Sequence, residues 1–213
     1  MEVVNHKEEI PFEHYLEKYQ SLDPLEAAER LNILYDENSG KFQLRFMGHL
    51  YEVAYPAFAI RPLDKEEGSK DLFADSIPSQ TFILRYLLEG KAVQSSGKFM
   101  TFREVPTYGE LYFKPFDGRC IKRLTYGFGF KLKAFEEAME KIPGAVRIDM
   151  GDIAYEFELI NGYRMRFIFW AADEEFPPSA QILYSDNFQY GFHAEDMVVA
   201  GDLSITTVKI LCG

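Results

Sequence analysis

Apolar residues along this chain follow two rhythms, one of three to four and one of two. From Phe12 to Tyr19 they fall at Phe12, Tyr15, Leu16 and Tyr19, the spacing of one helix face. Asp23-Pro24-Leu25-Glu26 then opens a second helix. Asp is a good cap, Pro fits the first helical position and Glu stands three residues after the cap. This helix is expected to reach about Leu31. After the turn cluster Asp36–Gly40 the period changes to two. Phe42, Leu44 and Phe46 alternate with Gln43 and Arg45, and Tyr51, Val53 and Tyr55 alternate beyond a turn at Met47-Gly48-His49. The pattern predicts a three-strand meander with one buried face.

Phe82–Leu88 is too apolar for a surface helix and reads as a core helix ended by Gly90. Gly97 to Gly129 mixes Pro, Gly and aromatic residues and yields no clear element. Lys131–Ile142 is an amphipathic helix with Leu132, Phe135, Met139 and Ile142 on one side, stopped by Pro143-Gly144. Ala180–Tyr184 is a strand. Ala194 to about Leu211 is a closing helix, although Ile205-Thr206-Thr207-Val208 is β-branched and also suits an extended run.

Ile153–Ile160 and Tyr163–Trp170 flank Asn161-Gly162, a strong hairpin signal. Sorting side chains by charge selects a register. A three-residue loop, Ile160-Asn161-Gly162, puts Leu159 opposite Tyr163, Phe157 opposite Met165 and Tyr155 opposite Phe167. Glu158 then faces Arg164 and Glu156 faces Arg166. Such pairs contribute a few tenths to about 1 kcal/mol each. This register predicts Gly162 as a left-handed bulge residue.

Strands and helices come in separate runs with no βαβ alternation. The expected fold class is α+β, an antiparallel sheet of hairpins and meander packed with several helices. A length of 213 residues fits a single domain. The charged stretch Arg61–Ser79 reads as a long loop, with a lobe boundary as the alternative.

Charge narrows the function classes. With 23 basic and 34 acidic residues the net charge is −11, which disfavours phosphate backbones and anionic membranes, so neither nucleic acid nor a membrane is an expected partner. Cys120 and Cys212 are isolated, as suits a reducing compartment. The first ten residues are mostly polar and charged, and no apolar run approaches 18 residues, so the expected location is the cytoplasm.

Signature motifs for nucleotides, hydrolytic serines, zinc proteases and EF-hands are absent. Three weaker constellations remain. Trp170-Ala171-Ala172-Asp173-Glu174-Glu175-Phe176-Pro177-Pro178 sets three carboxylates beside the single Trp, which suits a hard cation and equally a solvated turn. His193-Ala194-Glu195-Asp196 starts the last helix, where acids complement the dipole and His193 is a candidate ligand or proton carrier. Ser95–Pro106 carries Lys98, Arg103 and Glu104, an anion site or a loop into an edge strand with ordinary ion pairs. The residues singled out are Arg103, Glu104, Trp170, Asp173, Glu174, Glu175, His193, Glu195 and Asp196. No metal site or cofactor is assigned.

FILRYLLEG at 82–90, SGKFMTFREVP at 96–106, FxxR at 116–119, Gly151-Asp152, WAADEEFPPSAQILYSD at 170–186 and HAEDMVVAGDL at 193–203 form a recognisable series. Together they resemble the bacterial and archaeal family of domain of unknown function 3786, over roughly Leu31 to Leu211. The resemblance implies no activity. Some relatives look fused to a four-cysteine iron–sulfur module of the type found in corrinoid methyl-carrier proteins. That implies anaerobic one-carbon or redox metabolism and an iron–sulfur or corrinoid-related partner. This chain has no such module. Where the family usually has Thr before the Glu-Asp pair, Ala194 stands here, which removes a hydroxyl cap.

The reading favoured on these grounds is a binding or accessory protein. The alternative is an enzyme with a carboxylate-rich, metal-dependent site built from Asp173, Glu174 or Glu175 with Arg103 and His193. A homodimer is left open.

Overall fold

The computed structural model describes residues 6–64 and 71–213, with the side chains of 6–10 excepted. Two helices lead, α1 (His6–Gln20) and α2 (Pro24–Leu31). The Asp23 carboxylate accepts the Leu25 and Glu26 amides, so the cap read from the sequence is the one that forms. A meander follows: β1 (Leu34–Asp36), β2 (Lys41–Phe46), β3 (His49–Ala54) and β4 (Ile60–Pro62). Phe42, Leu44 and Phe46 are buried, as the alternation requires. The meander has four strands rather than three, because Ile60–Pro62 adds an edge to β3.

Short α3 (Leu72–Asp75) leads into α4 (Ile77–Glu89), which ends at Gly90. Strand and helix therefore occupy much of the stretch read as a loop from Arg61 to Ser79. Residues 65–70 of that stretch lie outside the described residues. Beyond α4 come β5 (Phe99–Thr101), a 3-10 turn (Phe102–Glu104) and α5 (Gly109–Phe116). A π turn (Asp117–Ile121) links α5 to α6 (Lys122–Phe128), so the stretch 109–128 is almost continuous helix. Pro115 sits inside it and cannot donate to the carbonyl one turn back, the kind of defect that accompanies a loosened turn.

Next are α7 (Leu132–Met139), a two-residue β6 (Val146–Arg147), and β7 (Ile153–Ile160), β8 (Tyr163–Trp170) and β9 (Ser179–Ser185). A short α8 (Phe188–Gly191) precedes α9 (Ala194–Leu211). The β-branched run 205–208 is helical within α9. Among the described residues, nine strands join one antiparallel sheet in the order β4-β3-β2-β7-β8-β9-β5, with β1 on β2 and β6 on β7. The fold is α+β.

The β7–β8 register needs one correction. Glu158 faces Arg164, Phe157 faces Met165, Glu156 faces Arg166 and Tyr155 faces Phe167, as charge sorting requires. The loop, however, has two residues. Ile160 pairs directly with Tyr163 around Asn161-Gly162, both at positive φ (36° and 86°), and the irregularity falls between Glu158 and Ile160. Leu159 is therefore the extra residue, not Gly162. The cause lies outside the hairpin. The Leu159 carbonyl accepts the Met47 amide at 2.8 Å and Phe46 pairs with Ile160, so β7 shifts by one residue where β2 joins it.

One face of the sheet is charged. Burial works against charge on Glu156, but Arg164 and Arg166 outweigh it and hold that carboxyl below its usual range. The other face carries Phe157, Met165, Phe167, Phe169, Ile182 and Tyr184, all buried. Phe135 of α7 packs edge-on against Phe169 at 4.7 Å, and the Tyr184 hydroxyl donates to the Met197 carbonyl of α9 at 2.8 Å. The helices α7 and α9 thus cover the apolar face.

Candidate functional site: an apolar cavity

The β2–β3 turn, α3 and the last turn of α9 line an open cavity of about 590 Å³. Phe46 and Phe73 form its aromatic wall, stacked at 3.7 Å, with Tyr51 against Phe73 at 4.6 Å. Met47, Leu72, Ile210 and Leu211 complete the apolar lining. Ile210 is exposed at the mouth, 59% accessible on the last turn of α9.

Polar groups enter at few points. Asp71 is only 4% exposed. It caps α3, accepting the Phe73 and Ala74 amides at 2.9 and 3.0 Å, and it accepts the Tyr51 hydroxyl at 3.0 Å. Burial first, and then the Asp71 charge, push the Tyr51 phenol well above its ordinary value, so it stays protonated and donates. His49 Nδ1 lies 3.1 Å from the Asp64 carboxylate beside the lining. Ser76 caps α4 through the Ser79 amide. This volume and lining match the size and character of small-molecule sites, which run from roughly 300 to 1,000 Å³.

A second, larger groove of about 760 Å³ runs between the end of α2, β1–β2, residues 92–95 and the Asn161-Gly162 turn. Its cations are already engaged. Arg30 donates to the Gly90 and Leu87 carbonyls, and Arg45 to Glu158. Asn161 is fixed too, accepting the Arg45 amide at 2.9 Å. The walls are mostly polar and hold themselves together, which leaves this groove the poorer ligand seat.

The residues selected from sequence do not converge. Trp170 and Asp173–Phe176 are exposed. The Asp173 carboxylate accepts the Glu175 and Phe176 amides of its own turn at 2.8 and 2.7 Å. Arg103 pairs with Glu110 at 2.6 Å and covers the Phe113 ring, rather than meeting that run. Glu104 accepts the Thr101 amide and hydroxyl, which lower its pKa. Ser95 and Ser96 hold Asp186, and the Ser95 hydrogen bond heads the causes that depress that carboxyl.

His193, Glu195 and Asp196 do sit together at the start of α9. Asp196 Oδ2 accepts the His193 amide at 3.1 Å, and Arg85 of α4 approaches its other oxygen at 2.9 Å. His193 is the cap residue and Ala194 the first helical one, so the expected loss of a hydroxyl cap at 194 does not arise, and the Asp196 carboxylate secures the helix start through the His193 amide. Burial raises the Asp196 pKa despite Arg85. His193 Nε2 lies 3.7 Å from Glu89. Among the described residues no cluster of three His, Cys, Asp or Glu side chains is placed to hold a metal ion. No described helix is long and apolar enough to cross a membrane.

Sequence reasoning missed the cavity because its lining comes from 46–51, 71–76 and 207–211. The one local signal was Asp71 two and three residues before Phe73 and Ala74, a cap pattern hidden in a stretch read as loop.

The fold and the cavity define an α+β protein with one helix-covered sheet and a mostly apolar pocket at its end. Residues 23–207 match the family model described as domain of unknown function DUF3786, and the chain belongs to that family. No curated protein and no solved structure matches it.

Proposed function

We propose that the chain is a binding protein, and that its ligand is a compact, largely apolar molecule held in the cavity between the β2–β3 turn, α3 and α9. The observation that carries this reading is the lining. A space of about 590 Å³ is walled by Phe46, Phe73, Met47, Leu72, Ile210 and Leu211, with Tyr51 and Asp71 as its fixed polar wall. Burying an apolar molecule there contributes roughly 25 cal/mol per Å² removed from water. The Tyr51 hydroxyl and Asp71 orient each other, so the polar wall is set before a ligand arrives.

The probe is N-phenyl-1-naphthylamine, a neutral apolar dye that brightens when it leaves water. The wild-type chain is expected to bind it saturably. Ile210→Lys adds a basic residue beside Lys209 near the C-terminus of α9, where the helix dipole favours one. It also puts an ammonium at the cavity mouth, and is expected to weaken binding at least about tenfold. Leu34→Lys changes an exposed residue of the larger polar groove and is expected to leave binding unchanged. No saturable binding by the wild type, or equal binding by Ile210→Lys, overturns the proposal.

A further inference from the structure

We propose that the cavity between the β2–β3 turn, α3 and α9 selects an amphipathic cation, a compact apolar body that carries one ammonium group. This inference rests on the cavity reading above and adds the sign of the ligand's charge. The lining residues include the carboxylates of Asp71 and Asp75 and no Lys or Arg. Asp71 is buried and Asp75 is exposed. The Asp75 carboxylate accepts the Asp71 amide at 2.8 Å, and among the described residues it enters no ion pair. Of the lining side chains, His49 is the one able to gain a positive charge. Its Nδ1 lies 3.1 Å from Asp64 Oδ2, so a proton gained there is matched by a carboxylate already in place.

The lysines of neighbouring elements stay off the lining. Lys209 is exposed on α9, and Lys141 donates to the Leu211 carbonyl at 2.7 Å. Residues 65–70 lie outside the described residues, and their two lysines and two glutamates sum to no formal charge. Two longer helices end at the cavity, α9 by its C-terminus and α4 by its capped N-terminus. Their partial charges are opposite in sign, so the carboxylates decide. The walls suit the same ligand. Phe46, Phe73 and Tyr51 offer rings that hold an apolar body and attract a cation over their faces. In a space only partly open to water, a ligand's charge interacts with Asp71 and Asp75 more strongly than it would in bulk. An anion of the same size meets two carboxylates and no lining lysine or arginine, so repulsion sharpens the choice. The net charge of −11 draws cations toward the chain as a whole.

The probes are three naphthalenes that differ in one group: 1-naphthylmethylammonium, 1-naphthylmethanol and 1-naphthylacetate. Each is used to displace N-phenyl-1-naphthylamine from the whole chain. The cation is expected to displace the dye at a concentration about threefold below the alcohol and about tenfold below the anion. Rising salt is expected to narrow that spread. Asp75→Asn keeps a side-chain oxygen for the Asp71 amide and removes the charge. It is expected to leave the alcohol unchanged and to bring the cation within about twofold of it. Glu37→Gln removes the same charge from the turn at the far end of β2 and is expected to keep the wild-type order. An alcohol or anion that displaces the bound dye as well as the cation does overturns this inference and leaves the cavity reading standing. So does an Asp75→Asn variant that binds the alcohol and retains the full preference for the cation. Should that variant lose the alcohol as well, the wild-type order alone decides. No saturable dye binding by the wild type overturns the cavity reading, and this inference with it.

Discussion

Asp71 and Asp173 make the same local hydrogen bonds in different surroundings. Each accepts the amides two and three residues ahead, Asp71 from Phe73 and Ala74, Asp173 from Glu175 and Phe176. Asp71 lies beside an aromatic wall and also receives the Tyr51 hydroxyl. Asp173 sits in a turn whose neighbours face water. In sequence the second region looks richer, with three carboxylates in a row beside Trp170. In the fold the single carboxylate is the one with chemical leverage, because electrostatic and hydrogen-bond energies rise as water is excluded. Carboxylate density along a chain is thus a poor guide to site chemistry, and burial decides.

Mutation can break that comparison. Asp71→Ala removes a cap and the carboxylate that accepts the Tyr51 hydroxyl, and is expected to cost about 2–4 kcal/mol in urea unfolding. Tyr51→Phe leaves the cap and removes the buried hydrogen bond to Asp71, for an expected loss of about 1–2 kcal/mol. Asp173→Ala is expected to cost under about 1 kcal/mol, since water replaces the lost acceptor. Comparable losses at Asp71 and Asp173 would erase the distinction.

A smaller effect sharpens it through pH. Burial raises the Asp196 carboxyl above its ordinary 3.8, so between that value and the raised one the folded state holds more proton than the unfolded state. Stability from this group is full below 3.8 and declines as pH rises through the window. Asp186 has the opposite sign. The Ser95 and Ser96 hydroxyls lower its pKa, so its contribution is present above 3.8 and is lost as pH falls. Urea midpoints across pH should show Asp196→Asn flattening the decline toward neutrality and Asp186→Asn flattening the fall toward acid. The same sign from both variants would refute the assignment.

The legible parts of the fold were those whose determinants are local. The Asp23 cap, the stop at Gly90 and the β2 alternation each lie within a few residues. The charged pairs Glu156–Arg166 and Glu158–Arg164 even set the β7–β8 register. The hairpin loop was misjudged because the Leu159 bulge answers to Met47, more than a hundred residues away. The α5–α6 stretch was unreadable because Pro115, Gly118 and Gly127 interrupt a helical pattern that tertiary packing sustains. The cavity was invisible for the first of these reasons on a larger scale, with its three walls drawn from distant segments. Of the residues picked as a site, His193, Glu195 and Asp196 meet, and they meet as a helix start tied to Arg85.

Amide hydrogen exchange with and without N-phenyl-1-naphthylamine at saturation locates the ligand. A ligand in the apolar cavity is expected to add protection at 46–51, 72–76 and 207–211 with little change elsewhere. Protection centred on 29–34, 92–95 and 161–162 would place the ligand in the polar groove and contradict it, as would no local protection at all.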